Sequence, residues 1–351
     1  MNNLVACLAL FAVLFAVEYL YIVVAEKRKV FDIPHHQSSH TGVVVRGGGI
    51  IFYVAFLLWT LFHGSLLSGG FIGLTVLAAV SSLDDVNSVN PKIRLVCQFM
   101  AILLMFYHSG LISTSPHVIL LLSVACVGLM NIYNFMDGIN GMTGGYSLVV
   151  ALALLYVNEH QVAFADSNLL GYVILALLVF NFFNFRSRAK CFAGDVGSMS
   201  IGFILVYMVL RLALRGESMS WMAMLVVYAV DGGLTILHRV LLHENLMKPH
   251  KKHAYQIMAN ELKMPHLAVS GIYMALQTVC CAWYIAFPGY LTFCLQVGLL
   301  VAAYLLFMKR YYHLHVKKGC HLSDGSRPET GDHERNYVIS LCRRWPFGKR
   351  L

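Results

Sequence analysis

Eleven apolar stretches of roughly membrane-spanning length leave this chain few folds to choose from. They lie near 3–25, 48–65, 69–83, 95–111, 117–133, 144–158, 168–184, 197–214, 219–237, 267–286 and 289–308. Unpaired backbone groups are costly in hydrocarbon, so runs of about 20 apolar residues cross a bilayer as helices. The short run at 69–83 makes ten spans the alternative count. Composition points the same way: 58% of residues are hydrophobic and 12% are charged, where a soluble domain carries about 25% charged residues. The expected fold class is all-α, a polytopic membrane helical bundle of about 11 (10–11) transmembrane helices. Residues 1–308 would form the membrane-embedded domain and 309–351 a basic tail.

Orientation follows from the basic residues. The first run has no basic n-region and ends in Glu26-Lys27-Arg28-Lys29 instead of a small-residue cleavage site, so it reads as a span and not a cleaved signal. Lys and Arg gather on the cytoplasmic side of membrane proteins. That rule puts the N-terminus outside and, after eleven spans, the C-terminus in the cytoplasm. Of the 26 Lys and Arg, only Arg211 and Arg215 then fall at outer ends, leaving 24 inside. The net charge of +9 therefore reads as topology plus attraction for anionic lipid and anionic substrate, with no nucleic acid implied. Nine cysteines, six of them in apolar runs and none in a CxxC pair, read as packing residues.

With this topology, the polar stretches all fall on the cytoplasmic side. They are 31–49, 83–98, 134–145, 184–198 and 238–256, while the outer loops are short and nearly free of such residues. Irregular polar backbone survives at membrane depth only around a wet cavity. Asn131, Asn134, Asp137 and Asn140 recur every third position, which draws one slowly drifting polar stripe on a helix. A helix end with a turn gives the same composition. Asp84 and Asp85 read as a cap or solvated turn, or as a pair whose repulsion is offset by a divalent cation or by Lys92 and Arg94. Asp195, between glycines, suits an N-cap or the neighbourhood of a bound phosphate. His250 and His253 flank Lys251 and Lys252, a cluster that also fits an ordinary positive-inside loop. Asp231 lies within the ninth span, and pairing with Arg239 competes with a functional role. Arg46-Gly47-Gly48-Gly49 is a weak signal, since glycine runs also mark helix starts. The P-loop, the zincin pair (His243-Glu244 lacks its second His, with Met247 in that place) and the GxSxG elbow are all missing. Carboxylates, glycines and bases remain, suited to metal-assisted chemistry on phosphates.

These residues resemble the polyprenyl-phosphate N-acetylhexosamine-1-phosphate transferases (glycosyltransferase family 4). That family includes the enzymes that initiate O-antigen and enterobacterial common antigen, with the muramoyl-pentapeptide translocase as a relative. LDDV resembles its paired-aspartate motif, NFMDGINGMTGG its NxxDGxDGLxGG, CFAGDVGS its FxGDxGS, and PHKKHAYQ its basic-histidine loop. DIPHHQSSHTGVVVRGGG is similar to its DxPxxRxxHxxxxPxGGG. Asn140 stands where many members carry a second Asp, His36-Gln37 replaces the usual Arg region, and Val45 replaces a Pro. The resemblance implies transfer of a sugar-1-phosphate from a UDP-N-acetylhexosamine to undecaprenyl phosphate, with release of UMP. It implies catalytic roles for Asp84, Asp85 and Asp137 and a magnesium ligand at Asp195, manganese being a candidate substitute. Substrate contacts are expected from Asn134, Asn140, Asn184, Lys92, Arg94, Asp231, Arg239, His250 and His253. The implied setting is the bacterial inner membrane, with the lipid bilayer as surroundings, a homodimer as a candidate assembly and a cell-surface polysaccharide as the downstream product. The competing class is a secondary transporter of an anionic solute, which calls for polar residues on both membrane sides and for internal symmetry. An inactive member of the same fold is the third reading.

Overall fold

A computed structural model of the chain describes residues 4–34, 39, 42–111, 114–245 and 250–323, with side chains described as far as 314. His36-Gln37 and the tail beyond 323 lie outside the described residues. Among those described, each of the eleven expected spans coincides with a helix. In chain order these are α1 (Leu4–Arg28), α2 (Ile50–His63), α3 (Gly69–Val86), α4 (Pro91–His108), α5 (Pro116–Met136), α6 (Met142–His160), α7 (Ser167–Asn184) and α8 (Gly194–Arg215). A 3-10 turn at Met219–Leu225 leads into α9 (Val226–Leu241). A short α10 (Ala254–Asn260) precedes α11 (His266–Ala286) and α12 (Tyr290–Ser323). The protein is an all-α polytopic membrane protein. By length and composition, eight of these helices can cross a membrane: α1, α3, α5, α7, α8, α9 with its leading turn, α11 and α12. The apolar α2 is shorter. The strand content among the described residues is one antiparallel ladder, β1 (Phe31–Asp32) with β2 (Val44–Val45).

The helix boundaries have local causes. Asn90 caps α4 by accepting the Lys92 amide at 2.9 Å, with Pro91 preset for the first turn. Asp166 caps α7 through the Asn168 amide at 2.9 Å and also takes the Trp59 indole N–H at 2.7 Å. Two boundaries differ from the sequence expectation. α3 continues through Asp84 and Asp85, so that pair sits on a last helical turn and not in a loop. α12 runs past 308 to Ser323, so the expected start of the tail falls inside a helix.

α8 is buried along nearly its whole length and packs against α2, α3, α5 and α6. Lipid supplies no hydrophobic drive between helices, so close packing and interhelical hydrogen bonds hold the bundle. α3 and α4 show the first device: a Cβ on Gly69 would lie 2.1 Å from the Leu104 carbonyl oxygen, and one on Gly73 would lie 2.8 Å from that of Ala101. α4 and α5 show the second. Asn131 donates to Gln98 Oε1 at 2.8 Å and Gln98 donates back at 3.3 Å. This amide clasp lies one turn from Arg94 on α4 and one turn from Asn134 on α5, and so fixes their relative height.

Candidate functional site

One end of the bundle gathers Arg46, Asp84, Asp85, Arg94, Asn134 and Asp195 from five separate segments. Asp85 accepts the backbone amides of Asp195 and Val196 at 2.9 and 3.0 Å, so it caps α8 from another helix. The carboxylate also meets the positive end of the α8 dipole. Asp195 itself is therefore not the N-cap, and the first α8 amides are engaged by Asp85 and not left open for a phosphate. Arg46 Nε lies 2.6 Å from Asp85 Oδ1. Gly194 has φ +69°, and a Cβ there would lie 2.7 Å from Asp85 Oδ2, which makes glycine necessary before Asp195.

Asp84 faces the other way. Its Oδ2 lies 2.6 Å from Arg94 Nη1 and its Oδ1 accepts the Val89 amide at 2.6 Å. The two adjacent aspartates are thus separated by separate arginines. Arg94 is one of the two expected bases; Lys92, the other, is exposed on the first turn of α4. Asp195 sits between the arginines, 3.6 Å from Arg46 Nη2 and 3.4 Å from Arg94 Nη1. Asn134 donates to Asp195 Oδ1 at 3.1 Å and to Ser198 Oγ at 2.7 Å, and accepts from Arg94 Nη2 at 3.3 Å.

The Asp84 and Asp195 carboxylates lie within hydrogen-bonding reach of one another. Two unit charges near 4 Å interact with about 4 kcal/mol at an effective dielectric of 20, so this contact favours a shared proton or a cation. Among the described residues no three His, Cys, Asp or Glu side chains form a ready cage. Magnesium commonly takes one or two protein carboxylates and completes its shell with water and phosphate oxygens. The donor set of Asp195 with Asp84 fits that habit.

Asp137 follows α5 as its C-cap. Burial, reinforced by the nearby Asp85 carboxylate, pushes it up to about 7. Asn140 and Asn184 are buried and brace loops. Asn140 donates to the Arg186 and Ser187 carbonyls at 2.8 and 3.3 Å, while Asn184 accepts the Gly141 amide at 2.7 Å and donates to the Cys191 carbonyl at 2.8 Å. An aspartate at 140 would turn a carboxylate toward the two carbonyl oxygens that Asn140 serves, so the asparagine suits this chain's own loop.

A second polar cluster adjoins the first across Phe135. Asp231 Oδ1 lies 3.4 Å from His253 Nδ1 and accepts from the Ala254 amide and Thr235 hydroxyl at 3.2 Å each, while Tyr273 donates to Oδ2 at 2.5 Å. Among the described residues the ion pair of Asp231 is with His253 and not with Arg239. Arg239 turns to Glu244 Oε2 at 3.3 Å and to the Asn245 carbonyl at 2.6 Å, and Glu244 also binds Lys252. With Nδ1 directed at Asp231, the buried His253 Nε2 is left without a partner among the described residues. The His250 and His253 rings lie 5.0 Å apart, tilted by 31°, beside Phe135. Burial, with His253, Arg239 and Lys252 nearby, pushes His250 down to about 3, so it stays neutral near pH 7.

Sequence reasoning left out Arg46, Ser198 and Tyr273. Arg46 had a signal, the glycine run that follows it. A Cβ on Gly49 would lie 2.3 Å from Gly197 Cα, so the run lets this loop press against α8 and bring Arg46 to Asp195. Ser198 is the serine that closes GDxGS. Tyr273 lies in an apolar span with nothing nearby in sequence to mark it.

The sequence profile of glycosyl transferase family 4 matches residues 67–213, which include Asp84, Asp85, Arg94, Asn134, Asp137 and Asp195. The chain is 27% identical over 229 residues to an undecaprenyl-phosphate alpha-N-acetylglucosaminyl 1-phosphate transferase of Yersinia pestis, covering 56% of this chain and 60% of that protein. It is 29% identical over 195 residues to a phospho-N-acetylmuramoyl-pentapeptide-transferase of Dictyoglomus thermophilum, covering 50% and 60%. Identity to the Escherichia coli K12 undecaprenyl-phosphate alpha-N-acetylglucosaminyl 1-phosphate transferase is 26% over 211 residues, covering 54% and 56%. The matches thus span somewhat over half the length of these relatives.

Proposed function

We propose that the chain belongs to glycosyl transferase family 4, whose profile matches residues 67–213, and that it transfers an N-acetylhexosamine-1-phosphate from a UDP-sugar to undecaprenyl phosphate. An oxygen of the lipid phosphate bonds to the sugar-bearing phosphorus, the bond from that phosphorus to the bridging oxygen breaks, and the electron pair leaves with UMP. The observation that carries this reading is Asp195 held between Arg46 and Arg94 beside Asp84. Both reactants are anionic, the acceptor carrying about −1.5 to −2 charges at neutral pH. Unaided approach is therefore strongly disfavoured.

Asp195, with Asp84, would hold magnesium, which when bound supplies charge neutralisation across the diphosphate. Arg46 and Arg94 are placed to offset further phosphate charge, and Asp85 fixes Arg46 and the start of α8. The acceptor is already ionised at neutral pH, so positioning it matters more than deprotonating it. Asp231 orients His253 so that Nε2 can meet a phosphate or leaving oxygen. The site end of the bundle faces the cytoplasm, where a soluble nucleotide sugar arrives.

The test is release of labelled UMP by purified membranes given undecaprenyl phosphate and a panel of UDP-sugars: GlcNAc, its deoxy derivatives, GalNAc and a FucNAc-type sugar. Mass analysis of the lipid product names the sugar. A transporter would release no UMP. Orientation is tested separately, in a cysteine-free background. Cysteines at Ser88, Ser187 and Lys251 are expected to resist a membrane-impermeant thiol reagent in intact cells and to label once the membrane is opened. A cysteine at Ser218 should label from outside in both cases. Outside labelling of Ser187 or Lys251 would mean that the loops share no cytoplasmic site.

A further inference from the structure

α1 carries Glu18 and Tyr21 three residues apart, one face of a helix that is otherwise mostly apolar. Glu18 is fully buried, at 0% exposure. Its Oε1 accepts from the Cys191 thiol at 3.4 Å, and its Oε2 meets no partner among the described residues. An acid inside a spanning helix that faces the bundle marks a function or a partner to be found.

What Glu18 faces is a backbone seam between two of the motif loops. The Phe192 amide donates to the Val45 carbonyl at 2.8 Å, Gly48 to Phe192 at 2.9 Å and Gly49 to Ala193 at 3.1 Å. One edge of this seam carries Arg46, and the other leads through Gly194 to Asp195. The Tyr21 hydroxyl donates to the Arg46 carbonyl at 2.8 Å. A Cβ on Gly48 would lie 2.8 Å from Glu18 Oε1 and 2.6 Å from Cys191 Sγ, and one on Gly47 would lie 2.3 Å from the Tyr21 hydroxyl oxygen. The loop backbone therefore rests directly on these two α1 side chains.

We propose that Glu18 and Tyr21 are positioning residues that hold the seam of 45–49 with 191–194 in register on α1, and thereby set Arg46 against Asp85 and Asp195. Neither touches the reacting groups. Their effect on turnover rests on the transferase reading above; their effect on the seam does not.

The experiment uses the full chain in detergent. Cys191 is retained as the sole cysteine, and the variants are Glu18→Gln, Glu18→Leu and Tyr21→Phe. Gln keeps the shape and an acceptor oxygen, whereas Leu keeps only bulk. Glu18→Leu is expected to lower kcat about tenfold to a hundredfold with KM for the UDP-sugar little changed, since small misplacements at a reacting centre have effects of that order. Glu18→Gln is expected to restore turnover. In parallel, N-ethylmaleimide should label Cys191 slowly in the parent protein and in Glu18→Gln, and about tenfold faster in Glu18→Leu as local opening becomes easier. Unchanged labelling in Glu18→Leu overturns the proposal, whatever the activity. Faster labelling in Glu18→Leu, where the parent protein itself transfers no sugar phosphate, sustains the seam role and removes the transferase reading. Where Glu18→Leu fails to fold, Tyr21→Phe decides, because it removes one hydroxyl only. Faster Cys191 labelling with lower kcat sustains the proposal, and parent-like behaviour in both overturns it.

Discussion

The two polar clusters flanking Phe135 solve opposite problems. Around Asp195, three carboxylates and two arginines crowd together, and two of the carboxylates touch each other. Around Asp231, a single carboxylate receives donors from His253, Ala254, Thr235 and Tyr273. The first arrangement retains repulsion that an incoming cation would relieve. The second is nearly satisfied, and its one loose end is a nitrogen of His253. Buried polar networks that are fully paired rigidify, while an unsatisfied buried group calls for a reason such as catalysis or a bound ion. On the proposed function, the first cluster would handle charge and the second would orient an imidazole.

The largest effect expected is at the first cluster. Asp195→Asn should lower transfer by about a thousandfold, the scale of losing a main electrostatic stabiliser, while far-UV circular dichroism and membrane insertion stay unchanged. Near-parental turnover in metal-controlled buffer would remove Asp195 from the role of ligand. Next, Asp231→Asn should lower kcat about a hundredfold, as for a misoriented acid–base group. Because Asp231 acts through His253, the double variant with His253→Gln should be little worse than either single variant. Additive losses would mean that the two residues work separately. Arg94→Lys should cost less, about tenfold. A lysine can keep the Asp84 pairing but cannot also fork toward Asp195. A separate rise in the magnesium concentration needed for half-maximal rate would tie Arg94 to the charge balance of the first cluster.

The smallest effect concerns stability at the junction of the clusters. Asp137 binds its proton up to about 7 in the folded protein, whereas an unfolded chain releases it near 4. Between those values the folded state holds more protons, so stability contributed by this group falls as pH rises, and it levels off above 7. In chelator, Asp137→Asn should therefore match the parent near pH 4 and melt at a higher temperature than the parent at pH 8. The same variant should lose transfer activity. A melting gain independent of pH would place the strain elsewhere than in the carboxylate charge.

The spans were legible because hydropathy is local. Each apolar run carries its own instruction to form a helix in hydrocarbon, whichever helix it later meets. The residue types in the motif loops were legible for a related reason, since paired aspartates and glycine-flanked acids stand out in a chain with only 12% charged residues. Partnership was not legible. Asp85 caps a helix 110 residues away, Tyr273 reaches Asp231 across 42, and Glu18 meets Cys191 across 173. The nearby basic residue suggested Arg239 as the mate of Asp231, yet packing of α9 against α11 and the start of α10 brought other donors first. Asn140 looked like a substrate residue because it sits in a motif, and the fold uses its amide to hold the 186–187 backbone. By itself, then, the sequence determined which apolar runs would form helices and which residue types would gather at their loop ends. Tertiary structure alone decided which carboxylate caps, which binds arginine and which is left in contact with another, because hydrogen bonds and charge contacts act over a few ångströms, and only helix packing brings distant residues that close.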